Sequence, residues 1–105
     1  MKSNKFYQHQ KIITVEGNIA NGQYELKDDN GNVSAYFHCS NGYLTDSISE
    51  DGTIVEPAFY DVNETHIEHW KNGVLHCEDG PAVIDLIDDY EEWWYEGKEV
   101  ENQDP

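Results

Sequence analysis

Turn signals cut this chain into short segments at Asn21-Gly22, Asn30-Gly31, Asn41-Gly42, Asp51-Gly52, Asn72-Gly73, Asp79-Gly80 and Glu96-Gly97. Asn-Gly and Asp-Gly accept the positive φ angles that tight hairpin turns require, so an extended chain can reverse at each step. Between them lie stretches rich in β-branched and aromatic residues, at 11–16, 23–27, 33–39, 54–55, 66–70, 83–86 and 91–95. Several alternate, as in Ser34-Ala35-Tyr36-Phe37 and Glu92-Trp93-Trp94-Tyr95, which is the pattern of half-buried strands. No window has a helical period. The best, 83–92, is dense in β-branched residues and Asp, which form helices poorly. The expected fold is all-β, a single-domain antiparallel meander of consecutive hairpins over residues 1–105. Residues 1–45 form its less regular part, 46–100 its repetitive part and 101–105 a frayed tail.

The repetition has a period of 24 residues, which separates Pro57-Ala58 from Pro81-Ala82, Asp61 from Asp85, Glu68 from Glu92 and Trp70 from Trp94. Asp51-Gly52 and Asp79-Gly80 precede the two Pro-Ala pairs, with residues 53–56 inserted in the first unit. Ser40-Asn41-Gly42-Tyr43-Leu44 echoes Lys71-Asn72-Gly73-Val74-Leu75. Repeats of this length are units that bury a face only against their neighbours, here stacked hairpins.

The run Trp70-Lys71-Asn72-Gly73-Val74-Leu75-His76-Cys77-Glu78-Asp79-Gly80-Pro81-Ala82, then Trp94-Tyr95-Glu96-Gly97-Lys98, resembles a MORN-like β-hairpin repeat. That family reads W/Y-x-N-G-x-L-H-R-x-D-G-P-A followed by W-Y-x-x-G-K-x-H. The likeness covers residues 70–98, with a weaker copy before it. Cys77 stands where the family has Arg, and Val100 where it has a second His. The resemblance implies a meander of hairpins serving as scaffold or contact surface, and implies no activity.

Charge is confined to one part of the chain. Residues 1–45 carry four acids and four lysines, whereas 46–105 carry eighteen acids against Lys71 and Lys98, so the whole net charge of −16 lies there. Acidity of this kind can signal disorder, but thirteen aromatics and eight glycines argue for a folded domain. A folded surface so charged repels nucleic acid and anionic membrane. The partner it predicts is a basic protein, with no direct nucleic-acid or membrane partner. The densest acidic run contains Asp85, Asp88, Asp89, Glu91, Glu92, Glu96 and Glu99. Its sharpest reading is a mimic of nucleic-acid phosphates that blocks a basic nucleic-acid-binding protein, with Trp93 as apolar anchor. That makes the expected function stoichiometric inhibition of the immunity or anti-defence type. The alternatives are a solvated face that only aids solubility, a carbohydrate-binding module using exposed aromatics, and a scaffold repeat forming a homodimer through an edge strand.

Neighbouring strand residues face opposite sides. By the repeat register Trp94 belongs with Trp70 in the core, and Trp93 takes the place of His69 on the open face. His38-Cys39 and His76-Cys77 make a four-ligand zinc set in number, but adjacent strand positions cannot readily chelate one ion, so no metal is expected. Reduced, apolar thiols and a His76 bonded to turn backbone are expected instead of a disulfide. Asp28-Asp29-Asn30-Gly31-Asn32 opens like a calcium loop but lacks the closing bidentate Glu, and a type I′ turn is expected there. No nucleophile elbow or phosphate-binding glycine loop is present, so neither an enzyme nor a cofactor is expected. The first ten residues hold no apolar run, and nothing approaches the roughly 18 apolar residues of a membrane span. A cytoplasmic location is the resulting expectation.

Overall fold

The computed structural model describes residues 8–101, and the expected fraying of 101–105 lies, but for Glu101, outside them. In chain order the strands are β1 (Gly22–Lys27), β2 (Val33–Ser40), β3 (Tyr43–Leu44), β4 (Ser47–Ile48), β5 (Ile54–Glu56) and β6 (Phe59–Asp61). They continue with β7 (His66–Glu68), β8 (Trp70–Lys71), β9 (Val74–Leu75), β10 (Val83–Asp85), β11 (Tyr90–Tyr95) and β12 (Lys98–Val100). The fold is all-β and every pairing is antiparallel. Among the described residues no helix is long and apolar enough to cross a membrane.

The main sheet has eight strands, running β1-β2-β6-β7-β10-β11-β12 with β3 on the end of β2. The meander leaves this sheet twice. After β2 the chain makes β3 and the β4–β5 ribbon before returning as β6, and after β7 it makes the β8–β9 ribbon before returning as β10. The 24-residue period appears directly in the register. Phe59 opposes Glu68 and Tyr60 opposes Ile67; 24 positions on, Val83 opposes Glu92 and Ile84 opposes Glu91. Residues two apart along the chain then repeat a bond. The Trp70 indole donates to Glu68 Oε1 at 2.9 Å, and the Trp94 indole donates to Glu92 Oε1 at 2.9 Å.

Three turns stack in a row at one end of the sheet. The Gly42 N–H donates to the Ala20 carbonyl (2.8 Å), Gly73 to Leu44 (2.7 Å) and Gly97 to Leu75 (2.9 Å). These are the turns with two consecutive positive φ angles: Asn41 and Gly42 (53° and 86°), Asn72 and Gly73 (50° and 88°), Glu96 and Gly97 (48° and 87°). The stack is tight: a Cβ on Gly73 would lie 2.8 Å from the Tyr43 ring. The remaining steps depart from the expected turn. At Gly22, Gly31 and Gly52 only the glycine has positive φ, and at Asp79-Gly80 neither residue does. The 28–32 turn is therefore not type I′. Asp28 Oδ1 instead accepts the Asn30 and Asn32 N–H groups at 2.9 and 3.0 Å.

Residues 11–16, expected as a strand, form none and make only an isolated bridge between Ile13 and Ile19. The segment lies along the stacked turns, whose outward carbonyls need donors. Its Ile12 N–H reaches the Gly42 carbonyl at 2.8 Å and its His9 N–H reaches that of Gly73 at 2.7 Å.

The buried cluster is Ala20, Cys39, Leu44, Ala58, Trp70, Leu75, Ala82 and Val83, flanked by Tyr24, Phe37, Cys77 and Trp94. Ala58 and Ala82 are fully buried because neighbouring main chain passes over them: their carbonyls accept the His38 and His69 N–H groups at 2.8 and 2.7 Å. The alanines of the Pro-Ala pairs are thus core positions. Residues 66–70, expected as one strand, break at His69. The reason is Asp46, a buried carboxylate whose Oδ1 takes the Trp70 N–H (3.1 Å) and the Ala58 N–H (2.7 Å). Its Oδ2 bonds His69 Nδ1 at 3.1 Å.

Candidate partner-binding surface

The acidic run occupies the terminal β10–β11–β12 part of the sheet. Side chains alternate along β11, so Glu91, Trp93 and Tyr95 share one face, and Tyr90, Glu92 and Trp94 share the other, core-bearing face. The turn between β10 and β11 is made by Asp85, whose Oδ1 accepts the Asp88 N–H at 2.7 Å. This ends β10 at Asp85 rather than at the expected residue 86 and throws Leu86 and Ile87 into solvent, 65% and 75% exposed. Asp61 does the same one repeat earlier, accepting the Thr65 and His66 N–H groups at 2.6 and 3.0 Å. The antiparallel order brings the 28–32, 62–65 and 86–89 turns to one end of the sheet, opposite the stacked glycine turns.

Six of the eight sequence-predicted residues converge. Asp85, Asp89, Glu91, Glu92, Trp93 and Glu99 line one open hollow of about 500 Å³. Ile84, Leu86 and Tyr90 complete its wall, and no basic side chain lines it. The other two do not join them. Asp88 is exposed on the turn but does not line the hollow. Glu96 sits in the β11–β12 turn with φ 48°, its N–H on His76 Nδ1 at 2.9 Å. At about 3.3 Å per strand residue that turn is roughly 20 Å from Asp88 and Asp89. Trp93 is half-buried rather than open, and Val100 opposes it on β12.

Two of the converging carboxylates also serve the fold. Glu92 holds the Trp94 indole. Asp85 bonds His66, whose Nδ1 lies 2.9 Å from Asp85 Oδ2 while its Nε2 lies 2.8 Å from Glu68 Oε2. The Asp88 N–H and then His66 lower the Asp85 pKa below the ordinary 3.8. Burial pulls His66 down, but bonds and charge from Glu68 and Asp85 outweigh it and raise its pKa above 6.5. The folded chain therefore binds this proton more tightly than the unfolded chain. Stability from the His66 bridge is present below pH 6.5 and lost as pH rises through the higher folded pKa. Urea midpoints of the wild type and of His66→Gln should accordingly differ more at pH 5.5 than at pH 8.5. An equal difference at both would remove the imidazolium from this bridge.

The remaining candidates are structural. His76 accepts turn backbone as expected, from the Glu96 N–H, and His38 Nδ1 lies 2.9 Å from the Thr45 carbonyl oxygen. Cys39 and Cys77 are free thiols, and burial raises the Cys39 pKa. Among the described residues no group of three or more His, Cys, Asp or Glu is placed to hold a metal ion. Sequence reasoning missed Leu86 and Ile87, whose signal was an aliphatic pair set between Asp85 and Asp88. No protein-family profile, curated protein sequence or solved structure matches the chain.

Proposed function

We propose that this chain is a protein-binding module that inhibits stoichiometrically, docking its acidic terminal hairpins on the basic surface of a nucleic-acid-binding protein. The observation that carries this reading is the hollow beside β11, which five carboxylates line together with the apolar side chains of Ile84, Leu86 and Trp93 and with no lysine or arginine. Carboxylates on a hydrogen-bonded sheet are held at set spacings, as phosphates are, so little ordering is required on docking. Desolvated charge pairs would fix register, and the net charge of −16 would accelerate encounter in a salt-dependent way. The MORN-like resemblance fits a contact surface of this kind.

The test is a salt-stepped affinity capture followed by competition. The captured protein should be basic, should elute at moderate salt and should lose its nucleic acid one-for-one with added chain. The double change Asp89→Asn with Glu91→Lys removes three charge units from the hollow, and Asn suits the left-handed φ of 56° at position 89. It should weaken the complex roughly 100-fold while leaving the unfolding midpoint within about 0.5 kcal/mol of wild type. Unchanged affinity would rule the reading out.

One observation favours carbohydrate binding as a second reading. On the face away from the core the Tyr36 and Tyr60 rings stack at 5.2 Å, and Gln23 and Glu56 bond the Tyr60 hydroxyl at 3.0 and 2.6 Å. Calorimetric binding of cellohexaose, indifferent to the Asp89/Glu91 change, would establish it instead.

A further inference from the structure

The hollow beside β11 is not isolated. A second, of about 310 Å³, is lined by Trp93, Trp94, Tyr95 and Val100 together with Cys77 and Glu78. A third, of about 660 Å³, is lined by Cys77 and Glu78 as well as Trp70, Asp79, Asp51 and Ile54. Trp93 therefore borders the first two, and Cys77 with Glu78 borders the last two. Through these shared lining residues the three run in series, here called the trough, from the Asp89 turn past Glu99 and Glu78 to Asp51. Its far wall is the β4–β5 ribbon, which contains residues 53–56, the segment inserted relative to the second repeat unit. On that ribbon Ile48 and Ile54 are 56% and 43% exposed, and both line the trough.

From these shared linings we infer that the three hollows are continuous and that the trough seats an extended, lysine- or arginine-bearing segment of the partner, such as a tail or arm, which threads all three. The inference rests on the protein-binding reading above and specifies the element of the partner that is bound. Charge complementarity selects the occupant, since carboxylates line every hollow or its border and Lys71 is the one lysine or arginine among the lining residues. The floor selects it too. Trp93 and Trp94, both half-buried, offer indole surface on which a guanidinium or ammonium gains cation–π attraction while its methylenes cover apolar surface. A rounded folded surface meets one hollow at a time. An extended chain sends side chains to one side every two residues, about 7 Å apart, and so can fill hollows in series. The Ser49 hydroxyl and then Thr53 bond Asp51 and lower its pKa to about 2.

The experiment titrates the full chain with a fluorescein-labelled dodecapeptide of alternating lysine and glycine, reading anisotropy and intrinsic tryptophan fluorescence. Two double variants make the same change in charge at different places: Glu78→Gln with Glu99→Gln in the trough, and Glu25→Gln with Asp29→Asn on β1 and its turn. The trough pair should weaken the peptide about tenfold and the distant pair less than about twofold at physiological salt, where screening confines charge effects to about 8 Å. Tryptophan emission should shift on binding. Equal weakening by both pairs would mean diffuse attraction and would overturn the trough. So would an emission response to cellohexaose with none to the peptide. If the peptide fails while an intact basic partner still responds to the Asp89/Glu91 change, the threaded segment is wrong and protein binding stands. If the partner also ignores that change, both fall.

Discussion

Replacing Asp46 with alanine is expected to lower stability by about 3–5 kcal/mol, the range for breaking a buried charged hydrogen-bond centre. Asp46 is 7% exposed. Its carboxylate gathers the Ala58 N–H from one part of the chain and, from another, the Trp70 N–H and the adjacent His69. Alanine would leave two buried backbone donors unpaired, each worth about 1–3 kcal/mol. Against a total of about 5–15 kcal/mol for a domain, the loss is large. Asp46→Asn keeps an acceptor for both N–H groups and should lose about 1–2 kcal/mol. Urea unfolding followed by circular dichroism measures both. Equal losses for Ala and Asn would show that the carboxylate's acceptor oxygen is not what holds the site.

Trp70→Ala should have an effect of similar size, about 3–5 kcal/mol, because it empties the largest side-chain volume in a core otherwise built of alanines, leucines, Val83 and Cys39. The substitution also removes the indole from Glu68 and the ring edge on which His9 packs, at a centroid distance of 5.9 Å. Trp94→Ala breaks the equivalent bond to Glu92 at a half-buried position and should lose less than half as much. Since Asp46 bonds the Trp70 backbone, the Asp46/Trp70 double change should fall short of the sum of the two singles. A full sum would mean that the two residues stabilise separate regions.

Much of this fold is legible in short-range chemistry. The glycine steps mark the reversals, and the spacing of Pro-Ala, Glu and Trp predicts a register that the β6–β7 and β10–β11 pairs share. The Glu92–Trp94 bond joins residues two apart on β11, whereas the Glu68–Trp70 bond spans the break at His69. Less legible are two-residue strands such as β3 and β9. They carry too few residues for alternation to be visible, and they exist because the stacked turns supply their partners.

The acidic surface divides along the same line. Composition and charge position dictate a β protein whose terminal hairpins are rich in carboxylates, because turn preference, strand alternation and charge are properties of neighbouring residues. They do not say which carboxylates are free. Asp85 and Asp61 are turn-makers, Glu92 and Glu68 hold indoles, and Asp46 is a core post. Glu91, Asp89 and Glu99 are gathered around Trp93 while Glu96 is carried to the other end of β11. The role of each acid depends on donors brought in from across the sheet, and those are set by the packing of the hairpins on one another.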